Sequence, residues 1–168
     1  PLKDMGLLAK IFVASLPFGL TTAQEIVIEE IYEDMSGNRA MRRLLQGDVG
    51  SGKTVVAISA MLLAAENGFQ SVLMAPTEIL AEQHFMTLKT LLNLGGMLTR
   101  ESGTENVFNV SVDGLNKELV IALLTGSMTP SSKVEVQELI ADGNVDIVLG
   151  THTLIQDSVE FPRLALAV

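Results

Sequence analysis

Short continuous apolar runs alternate along the chain with longer stretches in which apolar residues recur every three or four positions. The runs are Ser71-Val72-Leu73-Met74-Ala75, Leu119-Val120-Ile121-Ala122-Leu123-Leu124, Val145-Asp146-Ile147-Val148-Leu149 and Leu164-Ala165-Leu166-Ala167-Val168. Runs of this length, bounded by turn residues, predict strands covered on both faces. Arg43-Leu44-Leu45-Gln46 is shorter and also reads as a strand. Helical spacing covers Leu2 to Ala14, where Leu2, Met5, Leu8, Ile11 and Phe12 are apolar, and Pro17 and Gly19 then break the pattern. A second helix starts at Thr21 or Thr22, with Glu25 three residues after Thr22 as in a capping box, and ends at Ser36-Gly37-Asn38. Further helices are predicted over Val55–Glu66 with Gly68 as a stop, over Glu78 to about Leu92 capped by Thr77, and over Ser131–Ala141.

Strands alternating with helices predict an α/β fold: a parallel sheet with crossover helices on both faces. Residues 1–15 read as the tail of a preceding helical segment and 16–168 as the domain proper. Residues 93–118 interrupt the alternation. Gly95-Gly96, Ser102-Gly103 and Asp113-Gly114 are turn signals, and Asn106 to Val112 partly alternates, so a hairpin or a loop inserted in the domain is expected. The chain opens on Pro1 without Met and stops inside the apolar run at Val168, so a piece of a longer protein is expected.

At 168 residues the chain is long enough to bury a core, and no apolar run approaches the ~20 residues of a membrane helix. It has no cysteine, which excludes disulfides and thiolate metal sites and is compatible with a reducing cytosol. A net charge of −9 argues against a broad basic face for nucleic acid. Contact through main-chain amides and helix N-termini needs no lysine and stays open.

One stretch carries explicit chemistry. Gly47-Asp48-Val49-Gly50-Ser51-Gly52-Lys53-Thr54 fits the phosphate-loop pattern G-x-x-x-x-G-K-[ST] at every fixed position. The glycines let successive N–H groups turn inward around an anion. Lys53 reaches the outer phosphates, the Thr54 hydroxyl is placed to ligate Mg²⁺, and the following helix points its positive end at the same charge. In open α/β sheets ligands gather at the carboxyl ends of strands. There stand Gly47–Thr54, Pro76-Thr77, Thr125–Ser127 and Gly150–His152.

Several blocks then stand in helicase order: Leu20–Gln24, Arg43–Thr54, Ala75–Phe85, Leu123–Ser127 and Asp146–His152. Together they resemble the first RecA-like motor domain of the RecG-type ATP-dependent DNA helicases of superfamily two. The resemblance runs from about Leu16 to the end, apart from 93–118, which is longer than the family leads one to expect. It implies a RecA-like P-loop NTPase domain using ATP and Mg²⁺. It also implies that Gln24 reads adenine, that Phe18 lies near the base, and that Lys53 and Thr54 serve phosphate and metal. Pro76, Thr77, Gly126, Ser127, Thr151 and His152 would line a DNA backbone track. The implied partners are branched or double-stranded DNA and a second RecA-like domain of the same chain, in a monomer of the bacterial cytoplasm, associated with the nucleoid.

The acidic Mg²⁺/water motif of the family would follow Val168, and the second motor domain with its arginine finger, like the wedge domain, is not in this sequence. ATP hydrolysis and remodelling of stalled forks and Holliday-type junctions are therefore expected of a full-length protein, with this piece alone inactive. Two alternatives stay open: the motor of a transcription-repair coupling translocase, and an ATP-binding module that does not hydrolyse. Plainer roles compete at single residues. His84 and His152 have no close pairing for a metal, Arg42 and Arg43 can pair with acids, Glu29, Glu30, Glu33 and Asp34 read as a solvated face, and the methionines read as core filler.

Overall fold

The computed structural model describes residues 6–112, 118–156 and 158–168. Leu2, Met5 and the Asp113-Gly114 turn lie outside them. The elements run α1 (Leu7–Ser15), α2 (Thr22–Ser36), α3 (Lys53–Glu66), β1 (Gln70–Met74), α4 (Glu78–Leu94), β2 (Leu98–Glu101), β3 (Val107–Ser111), β4 (Glu118–Leu124), α5 (Pro130–Ala141), β5 (Ile147–Gly150), a 3-10 turn (His152–Ile155) and β6 (Leu164–Ala167).

Six strands form one sheet in the order β2-β3-β4-β5-β1-β6. β4, β5, β1 and β6 are parallel, whereas β2 and β3 add an antiparallel edge. The sheet is thus mixed rather than wholly parallel, because residues 98–111 fold as the hairpin β2–β3 and extend it. Phe108 of β3 meets Phe85 of α4 with ring centroids 5.0 Å apart, and Lys89 lies 5.5 Å above the Phe108 ring while pairing with Glu101. These contacts fasten the hairpin to the sheet's own helix layer.

Period-two alternation divides the core. Leu73, Ile121, Leu123, Ile147 and Leu149 face the layer built by α1, α2, α3 and α4. Val72, Ala122, Leu124 and Val148 face Val136 and Ile140 of α5 and Leu154. Helices therefore cover both faces, as the continuous apolar strands require. Helix α3 is the centre of the larger layer: Ile58, Met61, Leu62, Ala64 and Ala65 are fully or almost fully buried. Each large side chain so buried contributes about 1.5–3 kcal/mol relative to exposure. Against α3 packs α1, whose Leu7 and Leu8 amides donate to the Glu66 carboxylate at 3.0 and 3.2 Å. An acid at the end of one helix thereby caps the start of another.

Two expectations need correction. Arg43–Gln46 forms no strand. Leu44 is 80% exposed, and the Arg43 guanidinium is anchored on α2, pairing with Glu30 and, at 2.7 Å, with Asp34. β6 pairs only with β1 among the described strands, and a groove separates its other side from residues 39–43. The apolar run lacks the ladder partner that would make it a strand. The capping box is also shifted by one residue: Thr21 is the N-cap, and Gln24, not Glu25, closes the box.

Candidate nucleotide and nucleic-acid site

The segment from Gly47 to Thr54 lies at the head of α3, with Gly52 as the residue before its first turn. Gly50 and Gly52 take φ of +82° and +79°, a region that side chains rarely adopt. A Cβ on Gly52 would also stand 2.2 Å from Gln24 Nε2. α3 returns through Asn67–Phe69 straight into β1, so it runs antiparallel to that strand. Its N-terminus consequently sits at the carboxyl edge of the sheet.

The loop is rolled up. The Ser51 N–H donates to Asp48 O at 3.1 Å, closing a turn. Lys53 Nζ folds back and donates to Gly47 O and Asp48 O at 2.7 and 2.8 Å. The ammonium therefore stands inside the curve of the loop. Within the described residues the amides of Gly50, Gly52, Lys53 and Thr54 donate to no backbone or side-chain acceptor. A row of unengaged N–H groups, a helix N-terminus and one ammonium make an anion cradle. That donor set fits a polyphosphate. Thr54, second residue of α3 and partly exposed, can offer its hydroxyl to Mg²⁺. No group of three or more His, Cys, Asp or Glu side chains gathers for a metal among the described residues. A cation here would take most of its shell from phosphate and water, as Mg²⁺ commonly does.

Gln24 is tied into the same site. Its Oε1 accepts from the Thr21 N–H at 2.8 Å and its Nε2 donates to Ser51 O at 2.9 Å. The side chain thus joins the start of α2 to the phosphate loop. One lone pair and one N–H remain for a further partner, the pattern that an adenine edge complements. Phe18, in the bend before α2, is 47% exposed.

The other strand ends line up by register. Met74 of β1 and Leu124 of β4 both pair with Gly150 of β5, so the residues that follow these strands emerge side by side. Pro76 and Thr77 are exposed, and Thr77 caps α4 by accepting from the Leu80 N–H at 3.3 Å. Gly126 and Ser127 are exposed, as is His152. Thr151 is buried, its hydroxyl 3.4 Å from that of Thr153, which in turn donates to Leu124 O at 3.0 Å. Sequence reasoning missed Glu78 and Lys133, which bond the Ser127 N–H and the Gly126 carbonyl. An acid directly after a helix cap at a strand end was the available signal.

Residues 21–168 match the family model described as DEAD/DEAH box helicase. "ATP-dependent DNA helicase RecG" of Streptococcus pneumoniae is 49% identical over 154 residues, covering 92% of this chain and 19% of that protein. The protein of the same name from Thermotoga maritima is 45% identical over 168 residues, covering 100% of this chain and 19% of that one. A solved structure, "Structure of RecG bound to three-way DNA junction", superposes with a TM-score of 0.80 at 41% identity, covering 99% of this chain and 20% of that one. The chain thus spans about a fifth of the length of the relatives it matches.

Proposed function

The chain belongs to the DEAD/DEAH box helicase family, and from that premise we propose that it is the ATP-binding part of a DNA helicase that remodels branched DNA. Hydrolysis in the full-length protein would drive the motor on stalled forks and Holliday-type junctions. The observation that carries the reading is the cradle at the head of α3, where among the described residues the amides of Gly50, Gly52, Lys53 and Thr54 are unengaged and Lys53 is curled inside the loop. The RecG relatives, one solved on a three-way junction, support branched DNA as the substrate.

In this reading the amides of Gly50, Gly52, Lys53 and Thr54 would surround the phosphates, and Lys53 would exchange two loop carbonyls for a phosphate oxygen. Thr54 would contribute its hydroxyl to Mg²⁺, and Gln24 and Phe18 would hold the base. ATP supplies a phosphoanhydride bond whose cleavage releases the free energy for movement. Pro76, Thr77, Gly126, Ser127 and His152 meet the DNA backbone through hydroxyl, imidazole and main-chain groups, which suits a chain with a net charge of −9. A second RecA-like domain of the same polypeptide closes over the nucleotide.

The test is ATP-dependent conversion of a four-way junction by the full-length protein, with a linear duplex of equal length as comparison. Junction-specific conversion that Lys53→Ala abolishes is expected. Equal activity on both DNAs would remove the branched-DNA assignment, and junction conversion that survives Lys53→Ala would remove the ATP motor.

A further inference from the structure

One peptide unit at the carboxyl edge of the sheet is held at both ends by charged side chains. The Ser127 N–H donates to Glu78 Oε1 at 3.1 Å, and the Gly126 carbonyl accepts from Lys133 Nζ at 3.1 Å. An anion on the N–H and a cation on the C=O both match the peptide dipole, and charge-assisted hydrogen bonds are the stronger kind. The two side chains come from different helices: Glu78 opens α4 and Lys133 lies near the start of α5. A lysine near a helix N-terminus works against the helix dipole, so helix stability does not explain Lys133. Its hydrogen bond to the loop does.

The contact also crosses the sheet. β5 lies between β1 and β4, so Glu78, which follows β1, reaches over the end of β5 to the loop that follows β4. Gly126 makes the room: a Cβ there would stand 2.7 Å from Glu78 Oε1. Glu78 is partly buried, whereas Gly126 and Ser127 are exposed.

We propose that Glu78 and Lys133 are positioning residues that fix the Gly126–Ser127 peptide and fasten the loop after β4 to the head of α4, so that the two loops meet a DNA backbone as one rigid edge. This rests on the reading of those loops as DNA-facing. Neither side chain has to touch DNA. Their work is to keep Ser127 at a constant distance from Thr77, which saves the loop from being ordered when DNA binds.

The experiment uses the full-length protein with Glu78→Ala, Glu78→Gln, Gly126→Ala and, as a comparison, His152→Ala. Two quantities are read: amide hydrogen exchange over residues 125–129 without DNA, and the DNA concentration giving half-maximal ATPase stimulation. Glu78→Ala is expected to speed exchange and to raise the half-maximal DNA concentration by roughly 3–10-fold, with the rate at saturating DNA retained. Gly126→Ala, whose added Cβ would displace the Glu78 carboxylate while leaving Glu78 itself in place, should do the same. Glu78→Gln keeps a carbonyl acceptor for Ser127 and should stay within about 2-fold of the unaltered protein. Unchanged exchange in Glu78→Ala overturns the clasp. Faster exchange with unchanged DNA dependence overturns its role in binding. Tighter DNA binding in both Glu78 variants also overturns the proposal, since Glu78 would then compete with phosphate for the Ser127 amide. Weakening by His152→Ala alone leaves the DNA-facing reading standing and removes only the clasp, while weakening by none of the variants removes both.

Discussion

Replacing Gln70 by leucine should destabilise the domain far more than a swap of similar-sized side chains suggests. Gln70 is fully buried at the start of β1. Its Nε2 donates to Ile140 O and Val145 O, both at 3.0 Å, and its Oε1 accepts from the Arg163 N–H at 3.1 Å. One amide thereby joins the end of α5, the approach to β5 and the approach to β6. In Gln70→Leu, Ile140 O keeps the Gly143 N–H at 3.0 Å. Val145 O is buried, and stranding it costs about 1–3 kcal/mol, whereas the Arg163 N–H is part-buried and loses a bond worth about 0.5–1.5 kcal/mol. Leucine regains roughly 1 kcal/mol by burying apolar surface in place of the amide. The net expectation is a loss of about 0.5–3.5 kcal/mol out of a total that for ordinary domains is ~5–15. For a domain of this size each kcal/mol moves Tm by ~2–4 °C, so a drop of about 1–14 °C is expected, centred on several degrees. Urea unfolding followed by circular dichroism should show a lower midpoint with the slope unchanged, because the area exposed on unfolding is nearly the same. A midpoint and Tm close to those of the unaltered chain would refute the reasoning, since it would mean that the three bonds contribute nothing net.

Two further expectations concern the site and its surroundings. Gln24→Ala removes both the closing bond of the capping box and the link to Ser51 O. It should weaken MgATP binding and bring the ratio of MgGTP to MgATP dissociation constants, measured by calorimetry, toward unity, and an unchanged ratio would remove Gln24 from base recognition. Tyr32 has its phenol pKa raised above the ordinary value, first by burial and then by the nearby Glu66 charge. A raised pKa means that the folded state holds this proton more tightly, so the associated stability is complete below about pH 10 and is lost as pH climbs beyond it. Tyr32→Phe should abolish that alkaline loss. With one tyrosine and no tryptophan in the chain, phenolate absorbance reports the group directly, and titration at the ordinary value would contradict the assignment.

The parts of the fold legible in the sequence are those in which one local signal decides the outcome. Apolar runs at residues 71–75, 119–124 and 145–149 became β1, β4 and β5 to within two residues, because a strand covered on both faces has no polar side to hide. Thr77 caps α4 as its position before Glu78 suggests. The helicase resemblance also agrees with the family match over residues 21–168. Local pattern failed where the outcome depends on a distant partner. Arg43–Gln46 has strand composition, but without a ladder neighbour Leu44 faces solvent and Arg43 turns to the acids of α2. At the start of α2, Thr21 with Gln24 and Thr22 with Glu25 satisfy the same capping pattern, and only the chain's entry angle chooses between them. Gln70 before an apolar run looks like the end of a loop. Its three partners lie 70, 75 and 93 residues away, and no periodicity records them. Glu78 and Ser127, 49 residues apart, are hidden for the same reason.

Lys53 and the amide cradle are expected to take the phosphate chain of a nucleotide. Titrating MgATP into the protein and into Lys53→Ala by calorimetry tests this without requiring turnover. A charge-assisted bond to phosphate is worth about 1.5–3 kcal/mol, so affinity should fall by roughly 10–150-fold in the variant. MgATP binding of equal strength in both proteins would contradict the account.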